Sequence, residues 1–113
     1  MINDLAGKLN LELALEYCGG MEDLLEDMLR DYVEADRVAE LNGYYDSKDF
    51  ANYRVCVHGI KSTTLMVGGE ELSAKAKELE LAAAEGRIDY IDANHKTVID
   101  EYAQLLEAIR GAI

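Results

Sequence analysis

The sequence of 113 residues has no proline, no tryptophan, a single phenylalanine and only two cysteines. Without proline, nothing in the chain forces a helix to kink or stop. Cys18 and Cys56 allow one disulfide at most, which excludes the cross-linked framework of small secreted domains. Cations are scarce: 11 Lys and Arg stand against 23 Asp and Glu, a net charge of −12 with histidine neutral. That balance excludes nucleic acid and anionic membrane as principal partners, since both demand a cationic surface. No run approaches the roughly 20 apolar residues of a membrane-spanning helix. The opening Met1-Ile2-Asn3-Asp4-Leu5 lacks the basic and apolar regions of a secretory leader. The expectation is one domain over residues 1–113, in the cytoplasm and monomeric.

Half of the residues are hydrophobic, so the chain is no disordered acidic tail, and it is long enough to bury a core without a metal or disulfide. Ala, Leu, Glu, Asp and Lys dominate, which favours helix. The β-branched content and regular turn signals of a β-sandwich are missing. Gly19-Gly20, Asn42-Gly43, Gly68-Gly69 and Gly86 divide the sequence into five helical segments.

Asn10 caps a short first helix whose apolar face is Leu11, Ala14, Leu15 and Cys18. A second helix runs from Met21 to about Gly43 with the seam Leu25, Met28, Tyr32, Ala35 and Ala39. Ser47 is the expected N-cap of a third, which carries the clearest stripe: Phe50, Tyr53, Val57, Ile60, Thr64 and Val67. The fourth shows Leu72, Ala76, Leu79 and Ala83. The fifth starts near Asp89 and shows Ile91, Val98, Tyr102, Leu105 and Ile109. Such seams with short connections predict an all-α fold, an antiparallel up-down four-helix bundle with a short extra N-terminal helix.

The third helix carries the chemistry. His58 lies about 100° round from Val57, at or beyond the edge of the buried stripe. Arg54 and Lys61, one turn to either side, share its surface, and Ser62 joins them. An unprotonated imidazole is a nucleophile near neutral pH, and two cations beside it suit an anion such as a phosphoryl group. Gly59 costs roughly 1 kcal/mol relative to alanine inside a helix, and close approach by a partner is one reason to tolerate it. Read from spacing alone, the same face is equally a solvated edge whose cations pair with acids of a neighbouring helix.

His58, Ile60, Lys61, Ser62 and Gly68, at 0, +2, +3, +4 and +10, resemble the signature of histidine phosphotransfer domains. Leu72, the Leu79-Glu80 pair and Asp49-Phe50 are similar to the flanking segments of that family, and the likeness runs from about Leu9 to Ile109. The resemblance implies that His58 is a phosphoacceptor, taking a phosphoryl group from a receiver-domain aspartate and passing it to another receiver in two-component signalling. It implies that Lys61 steadies the phosphoryl group and that Arg54, Gly59, Ser62 and Gly68 serve docking or helix approach. The partners would be response-regulator receiver domains and a hybrid sensor histidine kinase. The chain would be a carrier without ATP-dependent kinase activity and without a cofactor, the Mg²⁺ belonging to the receiver. Two alternatives share the fold: an adaptor bundle that docks to receivers without phosphate, and the phosphoacceptor domain of a chemotaxis-type histidine kinase. His95, beside Lys96 and one turn from Ile91, reads as an edge residue, and Cys56 as a small buried hydrophobe. Cys56 and His58 point to different faces, which argues against a metal site.

Overall fold

The computed structural model describes all residues, 1–113. A 3-10 turn over Ile2–Leu5 precedes six α-helices: α1 (Leu11–Tyr17), α2 (Glu22–Glu34), α3 (Val38–Asp46), α4 (Phe50–Met66), α5 (Glu70–Glu85) and α6 (Ile88–Ala112). The chain is all-helical, its helices pack compactly, and none is long and apolar enough to cross a membrane. Asn10 caps α1 as expected, its side-chain oxygen accepting the Leu13 N–H at 3.0 Å.

The expected second helix is two helices. Its continuous 3-4 spacing passes straight through residues 35–37, where the structure turns. Asp36 Oδ1 accepts the Val38 N–H at 2.9 Å and so caps α3. The Arg37 N–H donates to the Tyr102 hydroxyl of α6 at 3.1 Å instead of to a carbonyl one turn back. Asp36 also pairs with Arg110 near the end of α6, at 3.0 Å. Three contacts thus substitute for continued helix, two of them with residues far along the chain. As a result Ala35 and Ala39, expected in the seam, are exposed, and the buried line of α2 is Leu25, Leu29 and Tyr32. The N-cap of α4 is Asp49, not Ser47: Asp49 Oδ1 accepts the Asn52 N–H at 3.2 Å, while Ser47 closes α3.

The stripes of the later helices face the core where the spacing puts them, with Phe50 and Ala83 only partly buried. Tyr53, Val57, Ile60, Thr64 and Val67, with Leu72, Ala76 and Leu79 of α5 and Ile91, Val98, Tyr102, Leu105 and Ile109 of α6, form one core. The pairing of α4 with α5 is the most extensive in the molecule. It is close because Gly69 sits against the Thr64 methyl and backbone, where a Cβ would fall 2.6 Å from Thr64 Cγ2.

Every buried side-chain polar atom has a partner. The Tyr32 hydroxyl and Thr64 Oγ1 are 2.7 Å apart. His95 is a core residue, not the edge residue its spacing suggests. Its Nδ1 lies 2.9 Å from the Tyr53 hydroxyl and its Nε2 2.8 Å from Asn42 Oδ1. Its ring stacks on Tyr45 at 4.1 Å between centroids. A neutral ring satisfies both bonds, with Nε2–H donating to Asn42 and Nδ1 accepting from Tyr53.

Burial holds His95 below the ordinary histidine range, although Asp46 and Asp100 pull the other way. In the unfolded chain the ring takes up a proton near pH ~6.5, which the folded ring resists. The unfolded state then binds more protons, so stability is complete above that pH and is lost as pH falls toward the lowered folded value. The urea midpoint should therefore drop between about pH 7.5 and about pH 5.5, and drop less in His95→Gln. Equal drops in the two proteins would rule out His95 as the source.

Candidate functional site

Residues on α4 that do not face the core form one uncovered strip. His58 lies on it with its side chain 58% exposed. Arg54, one turn earlier, and Ser62, one turn later, are exposed on the same strip. Lys61 lies on the side toward α5 and is only 24% exposed.

Both His58 and Lys61 meet one carboxylate. Glu80 of α5 is 16% exposed, with Oε2 2.5 Å from His58 Nδ1 and Oε1 2.7 Å from Lys61 Nζ. Burial by itself would raise the Glu80 carboxyl. The hydrogen bonds from Lys61 and His58, with the Lys61 charge, outweigh it, and the group is held below its ordinary value. An ionised Glu80 can only accept, so Nδ1 of a neutral His58 must carry the ring proton. That leaves the lone pair on Nε2, across the ring from Glu80 and without a partner within the chain. The arrangement therefore fixes the tautomer and presents one nitrogen outward as a nucleophile.

The α5 backbone is set against α4 by more than packing. The Ser73 hydroxyl donates to the Lys61 carbonyl at 2.9 Å, which fixes the register that brings Glu80 opposite His58. Around the imidazole the strip is mixed, with apolar side chains among Arg54, Lys61 and Ser62. Val55 is 69%, Leu65 37% and Met66 45% exposed, and helical geometry places them within about two turns of His58. Exposed apolar side chains interspersed with a few polar and charged groups are the composition of a docking surface.

The two glycines expected to serve docking are occupied from within. Gly68 is buried with φ +87, and a Cβ there would fall 2.3 Å from the Asn10 carbonyl oxygen. The Asn10 N–H also donates to the Gly68 carbonyl at 2.8 Å. Any side chain there is excluded by the N-terminal segment, and Gly68 is buried off the exposed strip. Gly59 makes room for Arg37, whose Nη1 is 2.1 Å from where a Gly59 Cβ would stand. Cys56 is buried on the core side of α4 with its thiol pushed up to about 11, mainly by burial and secondarily by Glu40, with Arg37 opposing. Cys18 is buried too, its Sγ 3.6 Å from Met28 Sδ.

The structure thus brings together His58, Lys61, Ser62 and Arg54 and adds Glu80. A carboxylate two turns after the Leu72 that begins the α5 stripe was the available signal for Glu80. Nothing in the local sequence signals the contact of Arg37 with Gly59, which comes from the turn before α3. None of the family models, curated proteins or solved structures compared with this chain matches it.

Replacing Glu80 removes the acceptor that selects the His58 tautomer. In ¹⁵N NMR of the neutral ring, wild type should show the Nδ1–H form and Glu80→Ala should shift toward Nε2–H. The melting temperature should fall modestly, because Glu80 and Lys61 are only 16% and 24% exposed and the variant leaves Lys61 without its partner. An unchanged tautomer in the variant would mean that Glu80 does not set it.

Proposed function

We propose that this chain is a histidine phosphotransfer protein of the two-component type, with His58 as the phosphoacceptor. The observation that carries the reading is the Glu80 carboxylate on Nδ1, which leaves Nε2 free on an exposed strip that also carries Val55, Leu65 and Met66. In the proposed reaction the Nε2 lone pair attacks the phosphorus of a receiver aspartyl phosphate. The N–P bond forms, the P–O bond breaks and the aspartate leaves as a carboxylate. The imidazole becomes cationic as it does so, and Glu80, already hydrogen-bonded to Nδ1–H, stabilises that charge without reorganising. Lys61 faces the developing phosphoryl charge while anchored on the other Glu80 oxygen. Transfer to a second receiver is the same step reversed. Positioning and charge stabilisation suffice for such a transfer, and the Mg²⁺ would be held by the receiver.

On this reading α2, α4, α5 and α6 constitute an up-down four-helix bundle that keeps α4 straight, with α1 at one end. The protein would be a cytoplasmic monomer, a carrier rather than a kinase. The strip carrying Val55, Leu65 and Met66 would dock the receiver, and Ser62 is small enough to let it approach.

Mixing the protein with phosphorylated receivers should produce an acid-labile phosphoryl group on wild type and none on His58→Gln. Val55→Asp should weaken transfer from the receiver by about tenfold or more, because a carboxylate would be desolvated in the interface. Its chemical labelling by the small donor phosphoramidate should be unchanged. If His58→Gln is labelled as well as wild type, the relay reading fails and a docking adaptor becomes the better description. Labelling by a kinase catalytic domain with ATP, and by no receiver, would place His58 in a chemotaxis-type kinase.

A further inference from the structure

A groove of about 540 Å³ lies where the 3-10 turn, α1, α2 and the last turn of α6 meet, and no residue of α4 lines it. Its floor is apolar, made by Leu11 and Leu15 of α1, Leu25 of α2 and Ala112 of α6. Leu25 is buried in the core, whereas Leu11 and Leu15 are half-buried and leave apolar surface open to the groove.

The walls are acidic. Glu12 stands on the α1 side, and Glu22, Asp23 and Glu26 stand on the α2 side. No Lys, Arg or His side chain lines the groove, and the Met1 ammonium is taken by Asp4 at 2.9 Å. Glu26 pairs with Arg30 at 2.9 Å, while Glu12, Glu22 and Asp23 form no ion pair. This acidity is more than a share of the net charge. Residues 9–29 hold six of the 23 carboxylates and none of the 11 Lys and Arg. First-turn carboxylates suit the dipole of α2, but Glu26 and Asp27 lie beyond that turn. They complete the like-charged i,i+4 pairs Glu22–Glu26 and Asp23–Asp27, which oppose the helix rather than support it.

We infer that this groove docks a basic amphipathic helix of a partner protein. An apolar floor between two acidic walls fits a helix with one apolar stripe edged on both sides by Lys or Arg. The stripe covers Leu11 and Leu15, and the cations relieve a repulsion between the walls that nothing in this chain neutralises. The same carboxylates repel nucleic acid and anionic membrane. An uncharged helix would desolvate them without giving them a partner, and a second copy of this chain, itself at −12, would add like charge. The groove and the His58 strip share no residue, so this docking stands apart from phosphotransfer.

The probe is a synthetic leucine–lysine peptide of about 15 residues with leucines at i, i+3, i+4 and i+7 spacing. A control peptide has the same composition with its leucines scattered. At about 0.15 M salt, methyl NMR of the intact protein should show saturable shifts at Leu11, Leu15 and Leu25 with the patterned peptide. The scattered peptide should bind at least about fivefold more weakly. The triple variant Glu12→Gln, Glu22→Gln, Asp23→Asn should bind the patterned peptide about tenfold more weakly. Glu34→Gln, Glu78→Gln, Asp89→Asn makes the same change in net charge at exposed residues that neither line the groove nor form an ion pair. It should match wild type within about twofold, as should His58→Gln. Unchanged melting temperatures separate these effects from misfolding.

Equal losses in the two triple variants would reduce the binding to bulk charge, and equal affinities for the two peptides would remove the apolar floor from it. Shifts centred on Val55, Leu65 and Met66, with binding lost in His58→Gln, would put the peptide on α4. Concentration-dependent shifts of Leu11 and Leu15 without any peptide would give the groove to a second copy. Each of these results, like the absence of a saturable shift, overturns the inference.

Discussion

The site depends on α4 being gripped by its neighbours along every side but one. Tyr53, Val57, Ile60 and Thr64 fasten it to the core, Gly69 lets α5 close on it, and Ser73 bonds its backbone at Lys61. What remains is a strip that no other helix of the chain covers. His58 stands on that strip with Val55, Ser62, Leu65 and Met66. The cost of exposing apolar residues there is tolerable because the opposite side of the same helix is so fully buried. A rigid support matters for a nucleophile that must meet an in-line donor, since small displacements of the attacking atom are costly in rate.

The Glu80 bridge works within that frame. The His58 side of the bridge is more than half exposed and contributes little to stability, and α4 is held to α5 chiefly by their packing. The consequence of the bridge is chemical. One oxygen determines which imidazole nitrogen is protonated, and the other anchors the ammonium that would face a phosphoryl group. Because Glu80 is nearly buried while His58 is not, the carboxylate stays fixed and its hydrogen bond meets little competition from water. The buried His95 makes the contrast: both of its nitrogens are engaged by Asn42 and Tyr53, and it has no lone pair to offer.

Sequence periodicity located α4, α5 and α6 because each has one buried face and glycines mark their ends. The break between α2 and α3 left no such trace. Residues 35–37 contain neither glycine nor proline, and two of the interactions that turn the chain there reach Tyr102 and Arg110, more than 60 residues away. His58 and Lys61 were legible because both lie on one helix. Glu80 was visible as part of the α5 pattern, but its role follows from the register of α5 on α4, which is set by Gly69 and Ser73. His95 was misjudged as an edge residue because an apolar stripe cannot reveal that a polar residue has two buried partners waiting for it.

That same break explains why the chain interrupts a segment whose spacing would support one long helix. A continuous helix would hold residue 37 in register with α2, and its N–H would be spent on a backbone carbonyl. The turn at Asp36 instead lets α3 fold back beside α4 and commits the Arg37 N–H to Tyr102. The side chain then crosses the only α4 position without a Cβ on that side, Gly59. The helix break, the buried tyrosine and the mid-helix glycine are separately unfavourable or unneeded for packing a helical core. Together they seat the Arg37 guanidinium in the seam between α3 and α4, against Gly59 and the buried Cys56 thiol.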